Sequence, residues 1–268
     1  MFISILMSSY LDRIIKTKVE VVEQQKALLT LSEMQHKLEN IFPTRDFIKT
    51  IESRNIEGQI SVIAEVKKAS PSKGVIRKDF SPKQIAKQYE SSGATCLSIL
   101  TDEEYFQGSI DYLMDIRSEV KLPLLRKDFI IDEYQIYQSR LFGADCILLI
   151  VSILSDDQLG NFKNLAESLN LDVLVEIHDL NELDRIKPFD FPLVGINNRN
   201  LSTFEVDLET TKIIAEKIPH RLVVSESGIK TKSDINQIVS YDVRNFLVGE
   251  SFMRAQDPGQ ELKRLFFS

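Results

Sequence analysis

From residue 60 to the C-terminus the chain repeats one unit, a short β-branched run followed by a stretch of helical periodicity. Eight such runs recur, at 60–66, 96–100, 122–126, 145–151, 172–176, 192–196, 221–225 and 245–248. Their ends fall near Lys67, Leu100, Lys127, Val151, Glu176, Asn197, Glu226 and Gly249, spaced 21 to 33 residues apart. Each interval holds one loop, one helix and one strand, as parallel strands joined by crossovers require. Eight such units predict an α/β fold, a closed (β/α)8 barrel of parallel strands. An open doubly wound sheet needs a glycine fingerprint after its first strand, and "KKASPSKG" does not supply G-x-G-x-x-G.

Helix signals fill the intervals. Ser81 and Pro82 open a helix as N-cap and first residue, and Gly93 closes it; Asp132, Ser155 and Thr231 open others. The first 55 residues fall outside the repeat. They read as an amphipathic helical extension, with a further helix starting at Pro43, that either plugs the barrel or roofs it. No linker divides the chain, so residues 1–268 are expected to form one barrel domain with this appendage.

Composition narrows the function classes. The net charge is −7 and no Lys/Arg-rich run stands out, which argues against nucleic acid or an anionic membrane as partner. The apolar N-terminal stretch is too short to span a bilayer and lacks a basic leader; Met7 is an alternative start. Cys96 and Cys146 sit in apolar runs without metal or redox spacing, and His36, His178 and His220 are scattered. Reduced buried thiols, a cytoplasmic location and no metal site are expected.

The chemistry is concentrated at strand ends. In the first run, Ile63, Glu65 and Lys67 share the inward face, while Val62, Ala64 and Val66 face the helices. A charge inside a barrel is costly unless paired, but at the C-terminal mouth it stands where such folds place their active sites. One charged strand end is commonly just a salt bridge or solvated surface. Here Lys127, Glu176, Asn197 with Arg199, and Glu226 with Ser227 reach the same mouth from four further strands. Gly228 and Gly249, the latter followed by Glu250, stand in the two loops that often cradle phosphate in this fold. A tight turn with positive φ would explain either glycine alone.

The segments "IAEVKKASPSKG", "LLRKDFIID", "LVEIHD", "VGINNRNL", "SESGI" and "FLVGESFM", in this order, resemble the indole-3-glycerol phosphate synthase family. The resemblance runs from about residue 8 to the C-terminus. It implies a cofactor-free lyase of tryptophan biosynthesis. Such an enzyme closes the indole ring of 1-(2-carboxyphenylamino)-1-deoxyribulose 5-phosphate with loss of CO2 and water. It further implies Lys127 as general acid, Glu176 as base, and Lys67 near the substrate carboxylate. Glu65 would orient the lysines; whether Glu65 and Lys67 act chemically or only position stays open. Asn197, Arg199, Glu226 and Ser227 would complete the pocket. Ser70, Gly228, Gly249 and the Glu250 amide would hold the phosphate, and Pro71, Phe106, Phe129 and Leu148 would pack on the aromatic ring.

Ala69 departs from relatives that carry a basic residue there, leaving phosphate compensation to Lys68, Lys73 or backbone amides. Burial and the neighbouring Lys67 are expected to lower the pKa of Lys127 and make it a better donor. A monomer is expected, with association with other tryptophan-pathway enzymes open. Two alternatives stand beside this reading. The pathway's isomerase would place a Cys/Asp pair at strand ends, and a non-catalytic phosphate-binding barrel would bind without turnover.

Overall fold

The computed structural model describes residues 10–39, 41–201 and 203–268; Met7 and the six residues before it lie outside them. Eight parallel strands close into a barrel. They are β1 (Ser61–Val66), β2 (Cys96–Leu100), β3 (Leu124–Lys127), β4 (Cys146–Ile150), β5 (Asp172–Ile177), β6 (Leu193–Asn197), β7 (Leu222–Glu226) and β8 (Asn245–Val248). All eight expected runs are strands. Four of them extend one residue further than the pattern indicated, to Lys127, Ile177, Asn197 and Glu226, so Lys127, Asn197 and Glu226 are ladder residues held in register rather than loop residues. β3 also starts two residues later. Pro123 has no N–H to give the ladder and joins it only by accepting from the Leu97 N–H at 2.9 Å.

The inward and outward sets of β1 are as its period-two pattern requires. Val62, Ala64 and Val66 pack among the helices, whereas Ile63 packs inside the barrel with Leu125, Leu174, Leu193 and Val224. The expected caps at Ser155 and Thr231 each accept a backbone N–H of the first turn in a capping box, as does Asp132 before the helix Glu133–Leu141. Ser81 precedes its helix without a side-chain cap bond.

The extension forms α1 (Tyr10–Leu28), α2 (Leu31–Leu38) and α3 (Phe47–Ile56). It both roofs and plugs. Phe47 and Ile51 of α3 are fully buried in the barrel interior, and the Ile48 N–H donates to Asp172 at the N-terminal edge of β5. Tyr10, Leu11 and Ile14 of α1 cover the opposite mouth. α3 starts at Phe47, not at Pro43. The intervening backbone is claimed by the barrel base: the Arg45 N–H donates to Asp145 at 2.7 Å, and Arg117 donates to the Pro43 carbonyl at 2.9 Å. Carbonyls and amides bonded outward cannot close helical rings.

Candidate active site

One cavity of about 900 Å³ opens at the C-terminal mouth, and all sixteen candidate residues from the sequence line it. Strand register brings the polar ones into layers. Ile150 of β4 pairs with Glu176 of β5, Glu176 with Gly195 of β6, and Asn197 with Glu226 of β7. Side chains two residues apart on one strand thus meet inward-pointing groups from its neighbours.

At the centre stands Lys127. Its ammonium donates to Glu226 Oε2 at 2.6 Å and to Glu176 Oε2 at 3.0 Å. Asn197 Nδ2 donates to the other Glu176 oxygen at 3.2 Å, while Asn197 Oδ1 accepts from the Arg199 N–H at 3.1 Å. Lys67 pairs with Glu65. Burial works against the charge on Lys127, but the carboxylates of Glu176, Glu226 and Glu65 outweigh it and hold the pKa above the ordinary lysine value. The expected lowering is therefore wrong. Lys67 is neutralised by Glu65, whereas the Lys127 ammonium contacts two carboxylates, Glu176 and Glu226.

The two acids around Lys127 behave oppositely. Glu176 loses by burial but gains more from Lys127 and His178, which keep it below the usual carboxylate range. Glu226 is pushed up to about 7, first by burial and then by Glu176, with Lys127 only partly offsetting this. Its second oxygen, Oε1, is buried without a hydrogen bond among the described residues.

Two glycines are explained by these acids. A Cβ on Gly195 would run into Glu226 Oε1, and one on Gly249 into Glu65 Oε1. Gly249 has a negative φ, so it is required by close approach and not by a turn. Gly228 is the converse: it and Ser227 both have positive φ, at 89° and 65°. Consecutive left-handed residues turn the chain sharply at the exit of β7, a conformation that costs free energy at Ser227 and is held by its surroundings. Asn198 does much of the holding. Its amide donates to the carbonyls of Glu226 and Ser227, and its oxygen accepts from Thr211.

The apolar wall is Phe106 and Phe129, with ring centroids 6.1 Å apart, together with Pro71 and Leu148. The other end of the cavity gathers Ser70, Lys73, Gly228, Lys230, Gly249, Glu250 and Arg254. Lys73 lines it and Lys68 does not. Ala69 is buried in a two-residue hairpin, Ala69–Ser70 against Gly74–Val75, that presents Ser70 to the cavity. Arg199 Nη2 stands 3.9 Å from the Glu250 carboxylate, which also pairs with Arg254.

Sequence reasoning missed three groups. Lys18 of α1 is buried and pairs with Asp102 at 2.8 Å and Asp128 at 2.7 Å, tying the roof to the loops that carry Phe106 and Phe129. Asp128, the residue after Lys127 in "KDF", is one of these two partners and also accepts from Thr101 at 2.6 Å. His178 stands behind Glu176; the Glu182 four residues on was a readable signal for it.

Comparison with known proteins decides among the readings of this mouth. The sequence profile described as indole-3-glycerol phosphate synthase matches residues 11–265. The chain belongs to the indole-3-glycerol phosphate synthase family. A protein of Polaromonas sp. strain JS666 named indole-3-glycerol phosphate synthase is 51% identical over 261 residues, covering 97% of this chain and 99% of that one. Solved structures share the fold at low identity. The N-acetylmannosamine-6-phosphate 2-epimerase of Clostridium perfringens superposes with a TM-score of 0.61 at 12% identity, over 84% of this chain and 97% of that one. The tryptophan synthase α subunit of Legionella pneumophila gives 0.59 at 13%, over 84% and 96%. These two likenesses speak for the barrel alone. Membership in the synthase family sets aside the isomerase alternative. Among the described residues no helix is long and apolar enough to cross a membrane.

Proposed function

We propose that this mouth closes the indole ring of 1-(2-carboxyphenylamino)-1-deoxyribulose 5-phosphate, releasing CO2 and water, with Lys127 as acid and Glu176 as base. The activity is that of a carboxy-lyase, EC 4.1.1.48, in tryptophan biosynthesis. The observation that carries the residue roles is the Lys127 ammonium, held between two carboxylates over a cavity with an aromatic wall at one side and a cationic end at the other.

Ring closure needs a proton at the ketone oxygen as the carboxylate-bearing ring carbon attacks C2. Lys127 supplies it from the centre of the cup. Loss of CO2 then restores the aromatic ring, and the apolar cover from α1, Phe106 and Phe129 favours expelling the charged carboxylate from a drying site. Dehydration needs a base, and Glu176 is the acid here that stays ionised. Lys67, paired with Glu65 on the same wall, sits to receive the substrate carboxylate or to protonate the departing hydroxyl. Ser70 Oγ, the amides at Gly228 and Gly249, and Lys73 and Lys230 suit the phosphate, with Lys73 taking the charge that Ala69 cannot. Glu250 is acidic at this end; its pairing with Arg254 and its nearness to Arg199 offset the repulsion.

The reading includes a cytoplasmic monomer. Support for the compartment is chemical: both thiols are free and buried. The test is indole fluorescence on mixing with the ribulose phosphate. Wild type should turn over, and Lys127→Ala should lose about 10² to 10⁴-fold or more in kcat while keeping its circular dichroism spectrum. A silent wild type ends the lyase reading; an active Lys127→Ala ends the assignment of the acid.

A further inference from the structure

His178 does not line the cavity, yet it stands half-buried directly behind the base. Its ring stands between two carboxylates. Nδ1 is 3.1 Å from Glu182 Oε2, and Nε2 is 3.4 Å from Glu176 Oε1. The same Glu182 oxygen also accepts the His178 backbone N–H at 2.8 Å. Glu182 therefore grips residue 178 twice, by main chain and by ring, and this fixes which way the imidazole faces.

The ring's charge follows from what surrounds it. An ionised carboxylate only accepts hydrogen bonds. Glu176 is accepting from Lys127 on one oxygen and from Asn197 on the other, and Glu182 is accepting from a backbone amide. A ring nitrogen facing either acid is stabilised by carrying a proton, and here both nitrogens face acids. Among the described residues Nε2 makes no hydrogen bond, its contact with Glu176 being long at 3.4 Å. Catalytic contacts of this kind commonly tighten when ligand binds.

We propose that His178, held as an imidazolium by Glu182, is a positioning residue that fixes the Glu176 carboxylate and keeps it ionised once substrate engages Lys127. This rests on Glu176 being the base. The need is electrostatic. Glu176 is faced by Lys127 from β3, Glu226 from β7, the neutral Asn197 from β6 and His178 from the end of its own strand. The Glu65–Lys67 pair on β1 is closed on itself. The helix Leu180–Ile186 behind His178 contributes only Glu182 to it. When the Lys127 ammonium turns to the ketone oxygen, His178 is the one cation still touching Glu176. The ring's pKa agrees: burial lowers it, Glu176 and Glu182 overcome that, and it is raised to about 10.

Two measurements test this. Only three histidines are present, so their ring resonances can be assigned. The His178 ring should remain protonated through pH 8 in wild type and titrate at lower pH in Glu182→Gln. In His178→Gln the acid limb of the kcat profile should move up by about one to two pH units, as loss of a cation within 4 Å of a carboxylate implies. KM should stay within about twofold. Glu182→Gln should move the limb the same way by less, and it serves if His178→Gln folds poorly. A His178 ring neutral at pH 7, or a kcat lowered equally at every pH with the limb unmoved, overturns the proposal. Glu176→Gln separates the two readings: retained turnover there refutes Glu176 as base, whereas a dead Glu176→Gln beside an unmoved His178→Gln limb refutes only the role of His178.

Discussion

Replacing Glu226 by Gln should make the protein's stability respond to pH in a way that isolates one proton. Glu226 is 2% exposed, with its carboxyl pushed up to about 7 by burial and Glu176. In the unfolded chain it titrates near 4.5. Between those values the folded state holds a proton that the unfolded state has released. Stability therefore falls as pH rises through this window, because the unfolded state binds fewer protons there. Integrated from pH 4.5 to 8, the loss from this one group is about 3 kcal/mol. Glutamine mimics the protonated acid and does not titrate, so Glu226→Gln escapes that loss. Other effects of the substitution, including a weaker bond to Lys127, are nearly constant over this range, because Lys127 stays charged and Glu176 stays ionised throughout. The difference in stability between variant and wild type should thus shift toward the variant by about 3 kcal/mol between pH 4.5 and 8. Urea unfolding at several pH values measures it. A difference that stays flat across the window means Glu226 is ionised in the folded state, and the reasoning about burial and a single cation partner is refuted.

Three further outcomes follow from the packing. Gly195→Ala should cost about 1–3 kcal/mol by crowding and should lower kcat as well, since the new methyl displaces the Glu226 carboxylate that bonds Lys127; thermal melts and turnover together check it. Phe47→Ala should cost about 3–5 kcal/mol while leaving kcat and KM within twofold at 25 °C, because the plug is at the opposite end of the barrel from the mouth; unchanged melting with lost activity would contradict that placement. Lys18→Met should cost about 3–5 kcal/mol by stranding Asp102 and Asp128, and KM should rise as the phenylalanine loops loosen; a stable variant with normal KM would show that the roof is held otherwise.

Much of this was readable in the chain because a barrel strand converts sequence into direction. Glu65 and Lys67 had to point inward with Ile63, and polar residues at the ends of other strands had to meet them at one mouth. The parts that could not be read depend on distances between strands. Whether Lys127 meets Lys67 or two carboxylates decides the sign of its pKa shift, and nothing local to "LLRKDF" settles that. Gly195 looks like any strand glycine until Glu226 lies across it from the next strand. Lys18 sits in an amphipathic helix where a lysine ordinarily faces water, and its two acid partners are 84 and 110 residues away. Pro43 is a fair helix opener in isolation, but α3 starts at Phe47, and the bonds that hold 43–46 out of the helix come from Arg117 and Asp145.

The raised pKa of Lys127 bears on how the proposed acid works. Around the base of the cup four carboxylates, Glu65, Glu176, Glu182 and Glu226, meet three cations, Lys67, Lys127 and His178. One negative charge is left over, and at Glu226, which is buried and shares Lys127 with Glu176, the carboxyl pKa rises. A lysine made more acidic would gain little here, since it would risk losing its proton before substrate arrived. The group it must protonate is a ketone oxygen on its way to an alkoxide, and an alkoxide is more basic than an amine. A lysine held above its ordinary pKa still carries its proton to the site where that charge develops. In the proposed role, Lys127 would act first as a fixed positive charge where the oxyanion forms, a stabilisation that costs no reorganisation in a preorganised site, with transfer of the proton following the charge.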